Sequence, residues 1–182
     1  EFSRRSFLLG TTSLGLAWML PYFAQAQNEL RFDTPLAIPA VLEGTLNDGV
    51  REYDLDLQSG ISEFFKGYDT PTWGINGAYL GPLLKMRKGE TVRVNVTNTL
   101  DETTTLHWHG LNLPAEADGG PHQPIHPGKT WSPEFKVLES AGLMWAHAHQ
   151  MGKTAEHVWN GLATMVMIED EDSDTLDLPN TY

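Results

Sequence analysis

Two His-x-His pairs, His107/His109 in LHWHGL and His147/His149 in MWAHAHQ, constrain this chain more than any other feature. A spacing of two is the period of a β-strand, in which residues i and i+2 share a face with Cα atoms roughly 6.5–7 Å apart. Each pair therefore presents two imidazoles side by side, close enough to serve two neighbouring metal ions. Together they offer four ligands of the type that suits copper, zinc and iron. Both pairs sit in one pattern: a Trp, the His pair, then a glycine (Gly110 and Gly152). Glycine suits places where backbone must approach closely or adopt an unusual conformation.

The rest of the pattern is also that of strands. Val92, Val94 and Val96 in TVRVNV fall on one face, with Arg93 and Asn95 on the other. Phe135 and Val137 alternate in the same way, and Leu162 to Ile168 is a nearly continuous apolar run of the kind found in central strands. Turn signals separate these runs: Asn76-Gly77, Gly81-Pro82, Lys88-Gly89, Gly119-Gly120-Pro121 and Pro127-Gly128. Only Gly152 to Asn160 reads as a short helix. Many short strands with turns between them predict an all-β fold, a sandwich or barrel.

The N-terminus reads as an export signal. Arg4-Arg5 form a twin-arginine n-region, Phe7 to Leu20 is mildly apolar, and Ala24-Gln25-Ala26 is a small-residue cleavage site. At about fourteen residues the apolar run is shorter than the ~20 needed to span a bilayer. The segments expected are thus a signal peptide at 1–26, one domain at 27–170 and an acidic linker at 171–182. Because the chain starts without Met and stops just past the acidic run, the expectation is an N-terminal piece of a longer protein. A formal charge of −12, from 24 acidic and 12 basic residues, disfavours nucleic acid and anionic membrane surfaces as partners. Zero cysteines removes disulfides, thiolate chemistry and any copper–thiolate electron-transfer centre.

From about Thr72 to Asp170 the chain resembles the first cupredoxin (plastocyanin-like) domain of multicopper oxidases. The stretches that carry the resemblance are TWGINGAYLGPLLKMRKGETVRVNVTN, LHWHGLNLPAEADGG, IHPGKTWSPEFKV, MWAHAHQMGKT and GLATMVMIEDED. The look is nearest to bacterial copper-efflux oxidases and bacterial laccases, and the final LPNTY resembles the linker into their second domain. The resemblance implies a cupredoxin-like Greek-key β-sandwich exported to the periplasm. It also implies a cluster of three coppers shared with a later domain, each contributing four histidines. On that reading His107 ligates the type 2 copper, and His109, His147 and His149 ligate the type 3 pair. The type 1 copper and its cysteine belong to a part beyond this chain. The implied partners are molecular oxygen, a one-electron donor such as Cu(I) or phenols, and the remaining cupredoxin domains. Asp118 matches an acidic residue that helps deliver protons in the efflux oxidases; it can also cap the bend at Gly119-Gly120.

There are departures from the family pattern. Ala146 and Ala148 replace an aromatic residue and a Pro or Ser, which predicts looser packing around the second pair. Met151 stands where some relatives carry a third His. His122, His126 and His157 match no ligand position and are read as surface histidines, while Met165 and Met167 are read as core. Two alternatives stand beside the oxidase reading. One is a copper-free periplasmic scaffold of the same fold, as in cell division, which would have lost its ligand histidines; all four are present. The other is a zinc or iron cupin, whose Glu lies three to five residues past the His pair. Here the first acid after His109 is Glu116, and the spacing fails.

Overall fold

The computed structural model describes residues 37–177. The expected signal peptide and the last residues of the expected linker lie outside that range. Two β-sheets face one another across a single hydrophobic core. The first sheet contains β1 (Val41–Leu42), β5 (Leu83–Arg87), β11 (Ala163–Glu169), β10 (Gly142–His147) and β7 (His107–His109), in that order. Its β1–β5 and β5–β11 ladders are parallel, and β11–β10 and β10–β7 are antiparallel. The second sheet has β2 (Thr45–Asn47), β3 (Val50–Phe65), β6 (Thr91–Asn98) and β8 (Thr130–Trp131), with β4 (Tyr68–Ile75) paired to β3 and β9 (Glu134–Lys136) to β6. One α-helix, α1 (Thr154–Asn160), lies within the segment predicted to be helical, and short 3-10 turns occupy Ala115–Ala117 and Ser173–Thr175.

Period-two patterning builds the core. Val92, Val94 and Val96 are completely buried, as the alternation requires, and lie beside Tyr53, Leu55 and Leu57 of the adjacent β3, in the same cluster as Leu84, Met86, Val166 and Ile168. Burying a side chain of this size contributes about 1.5–3 kcal/mol, so these inward rows dominate the stability of the sandwich. The Tyr53 hydroxyl donates to the Lys85 carbonyl and ties one sheet to the other. Several of the sequence turns carry the left-handed backbone that glycine permits; Gly89 and Gly128 have φ of 90° and 70°.

The strand β11 is central, as expected, but its burial alternates instead of being continuous. Thr164, Val166 and Ile168 point inward, while Met165 is 41% exposed and Met167 only half-buried. The reading of these methionines as core residues is therefore corrected. The sheet has one buried face, and the period of two sends both thioethers to the other side.

Candidate metal centre

The candidate ligand histidines lie on and beside the edge strand β7 of the first sheet. In β7 the core takes Trp108, fully buried against Phe135 with ring centroids 5.6 Å apart, so His107 and His109 project from the opposite face. The neighbouring β10 pairs in a register that places His147 across from His107, Trp145 across from His109 and Ala146 across from Trp108. Opposed residues on one face of an antiparallel pair have Cβ atoms roughly 4.5–5.5 Å apart. This register alone brings three imidazoles together on one face. One ring nitrogen from each of His107, His109 and His147 lies within 4.8 Å of the others. His149 follows the end of β10, with its ring 5.3 Å from that of His107 and 5.9 Å from that of His147.

The same register accounts for the unusual alanines. Ala146 and Ala148 are fully buried, and Ala146 sits opposite the large Trp108 on the core side. Packing around the second pair is therefore close, contrary to the looser packing expected from the sequence. On the outer face Trp145 stacks on His147 at 3.9 Å and 25°, supplying an aromatic wall from a position two residues before the ligand.

Hydrogen bonds fix which nitrogen each ring offers. His107 Nδ1–H donates to the Asp118 carbonyl at 2.9 Å, leaving Nε2 as the free donor atom. His147 Nδ1–H donates to the Ala148 carbonyl at 2.9 Å, and Nε2 again remains free. That Nε2 lies 3.2 Å from His109 Nδ1, so two nitrogen atoms converge on one point. Such outer bonds set tautomer and ring orientation at metal sites. Burial holds the His147 pKa below the usual histidine value, aided by its three histidine neighbours, so the ring is neutral and ready to ligate. The Nδ1 of His149 is buried without a protein hydrogen bond, and its backbone N–H donates to Thr105 Oγ1 at 2.7 Å. A set of imidazoles with no thiolate fits copper, and by ligand type also zinc, iron or nickel.

Asp118 lies in the turn that abuts the first histidine pair. Its carbonyl closes the turn onto β7 through Trp108 N–H at 3.2 Å, while its carboxylate Oδ2 lies 3.3 Å from His107 Nδ1 and is partly exposed to solvent. Gly110 and Gly152, the glycines after the pairs, both have positive φ, 97° and 73°. His122 and His126 are exposed, and Met151 is exposed. His157 is not a surface residue. Its side chain is fully buried, with both ring nitrogens hydrogen-bonded, and its partners Glu102 and Thr104 are too distant in sequence for local patterning to reveal the contact.

The multicopper oxidase family profile matches residues 57–173. The multicopper oxidase mco of Staphylococcus aureus is 43% identical over 149 residues, covering 81% of this chain and 32% of that protein. The cell division protein FtsP of Salmonella typhimurium is 35% identical over 182 residues, all of this chain and 37% of that protein. Among solved structures, the multi-copper oxidase from Pediococcus acidilactici superimposes with a TM-score of 0.79 at 40% identity, covering 84% of this chain and 33% of that one. The chain spans about a third of the length of these relatives. With a sandwich of this type, a three-histidine cluster at a sheet edge and a family match over most of its length, the chain belongs to the multicopper oxidase family.

Proposed function

We propose that this chain is the first domain of an exported multicopper oxidase and supplies half of a trinuclear copper cluster. The observation that carries the reading is the convergence of ring nitrogens from His107, His109 and His147, with tautomers set by the Asp118 and Ala148 carbonyls. His107 takes the type 2 copper, and His109, His147 and His149 share the type 3 pair. Bound copper supplies one-electron redox chemistry, which in the whole protein reduces O2 to water at the expense of a donor such as Cu(I) or a phenol. That reduction consumes four protons with four electrons. Asp118, between solvent and His107, is the carboxylate placed to pass protons inward. Trp145, stacked on His147 at 3.9 Å and 5.2 Å from the ring of His109, limits the swing of both rings. The twin-arginine segment is read as the address for export to the periplasm. Among the described residues no helix is long and apolar enough to cross a membrane.

The test is copper content and turnover. The full-length protein should bind copper at the cluster, lose type 2 copper on His107→Ala and lose the coupled pair on His109→Ala, His147→Ala or His149→Ala. Each change should abolish oxygen reduction. The 182-residue chain alone should bind copper weakly and oxidise no phenol, since four imidazoles are half a shell and no thiolate is present to build an electron entry site. Full activity in the His149→Ala protein would refute the assignment. A second reading, a copper-free scaffold, draws on the match to FtsP over all 182 residues. It requires a full-length protein that carries no stoichiometric copper when all four histidines are intact.

A further inference from the structure

A buried polar chain lies behind the metal centre and uses none of the four paired imidazoles. His157, on α1, is fully enclosed and meets the edge of Trp73 with centroids 5.0 Å apart. Its Nε2–H donates to Glu102 Oε1 at 2.6 Å. Its Nδ1 and the hydroxyl of Thr104 are hydrogen-bonded at 2.9 Å. Thr104 is itself pinned, exchanging two backbone hydrogen bonds with Ile125, N–H to carbonyl in both directions. The next residue, Thr105, receives the N–H of His149. From the backbone side, the carbonyl of His157 accepts Leu162 N–H at 3.0 Å, and the carbonyl of Leu162 accepts Ala148 N–H at 3.0 Å. One residue therefore holds both ligand segments. Its ring grips the segment that leads into His107, and its carbonyl holds Leu162, whose own carbonyl holds Ala148 between His147 and His149.

Packing alone does not ask for this residue. Enclosing an imidazole with two satisfied nitrogens confers fixed geometry that an apolar side chain of the same size would not, and a buried network left half-satisfied is costly. We propose that His157 is a positioning residue for the metal centre, setting the spacing between the two His-x-His segments through Thr104 on one side and Leu162 on the other. The proposal rests on reading those histidines as copper ligands, but its structural core can be tested with no metal present. The ring contact to Thr104 is the informative one, because Glu102 is partly exposed, can turn to water and has Lys153 Nζ at 3.8 Å.

The experiment compares His157→Asn, His157→Gln, His157→Phe and Thr104→Val in the 182-residue chain. Asparagine reaches the position of Nδ1 and preserves the Thr104 contact, whereas glutamine reaches the position of Nε2 and preserves only Glu102. Amide hydrogen exchange is followed at Ala148 and His149 in metal-free protein, with Val94 and Val96 as a measure of global opening. Cu(II) is then titrated, with the nitrogen hyperfine pattern read by electron paramagnetic resonance. Exchange at Ala148 and His149 should rise about tenfold in the Gln, Phe and Val variants and stay near wild type in Asn, with Val94 and Val96 unmoved. Copper affinity should fall about tenfold in the same three variants, the scale seen when groups that orient ligands are lost. Equal behaviour of Asn and Gln, a parallel acceleration at Val94, or no change in any variant would overturn the proposal. If His157→Phe fails to fold, Thr104→Val and the Asn/Gln pair decide it. A wild-type chain that bound no copper would refute the copper reading and leave the exchange result to decide the positioning role.

Discussion

Replacing Gly119 by alanine tests how closely the Asp118 turn must approach β7. A Cβ on Gly119 would lie 1.8 Å from the Leu106 carbonyl oxygen, 2.6 Å from its carbon and 3.0 Å from His107 Cα. A carbon and a carbonyl oxygen rest comfortably at about 3.3–3.6 Å. Both obstructing groups are backbone and cannot rotate away, so the turn must withdraw by roughly 1.5 Å. That displacement breaks two bonds made by the Asp118 carbonyl, from Trp108 N–H at 3.2 Å and from His107 Nδ1–H at 2.9 Å. Each contributes about 0.5–1.5 kcal/mol. Forcing a side chain into the left-handed region, φ of 73°, adds about 1–2 kcal/mol. The expected loss is about 2–5 kcal/mol, a large share of the roughly 5–15 kcal/mol of a typical domain. Gly128 and Gly152 are internal controls, with φ of 70° and 73° and no atom within 4 Å of the added carbon. Alanine there meets only the conformational cost, offset by about 0.4–1 kcal/mol from a stiffer unfolded chain. Urea denaturation of the three variants at neutral pH reads the difference directly, and Cu(II) titration should show weakened binding for Gly119→Ala alone. If Gly119→Ala unfolds at the same urea concentration as Gly128→Ala, the close approach is not a constraint and the account of how His107 is held fails.

Acid should destabilise the metal-free chain through His147. Because its folded pKa is pushed below the ordinary value of 6.5, chiefly by burial, the ring's contribution is fully present above that value. As pH falls below 6.5 the unfolded chain takes up the proton first and stability drains away; His147→Gln should flatten the slope of urea midpoint against pH between about 7 and 5, and an unchanged slope would count against the burial argument. Asp118→Asn in the full-length protein should leave copper content intact while slowing oxygen reduction by about a hundredfold, the scale of general acid catalysis. Wild-type turnover in that variant would reduce Asp118 to a turn-former. Changing Arg4 and Arg5 together to lysine should hold the precursor in the cytoplasm, and undiminished periplasmic yield after fractionation would contradict the twin-arginine reading.

The parts of this architecture written in local periodicity were legible before any coordinates. Val92, Val94 and Val96 declare a buried face because three branched residues at a spacing of two have no other economical arrangement. The His-x-His pairs declare a shared face for the same reason. What could not be read was pairing between distant segments. Nothing near His147 states that it lies across from His107, and nothing near Ala146 states that its small size accommodates Trp108 on the neighbouring strand. His157 was misread because an isolated histidine on a short helix carries no periodic signal; its burial depends on Glu102 and Thr104. The misplacement of Met165 and Met167 inside has a related cause. An unbroken apolar run does not say which of its two faces the fold will cover, and only the ladder to β5 and β10 decides.

The position of β10 in its sheet has a consequence for biogenesis. It carries His147 and lies between β7, made earlier, and β11, made later, while β11 in turn pairs in parallel with β5 from the first half of the domain. A nascent chain that has emerged through His149 already contains all four imidazoles but lacks the strand against which the second pair is aligned. Parallel ladders between segments as distant as Leu84 and Val166 close late, because chain entropy must be lost before they yield any contact. Ribosome-bound chains truncated before Ala163 should therefore carry all four of this domain's paired histidines and no ordered site, and what weak Cu(II) binding the domain has should appear only when Glu169 has cleared the exit tunnel. On the copper reading, metal loading comes after folding in the order of events, and the fold itself is the gate.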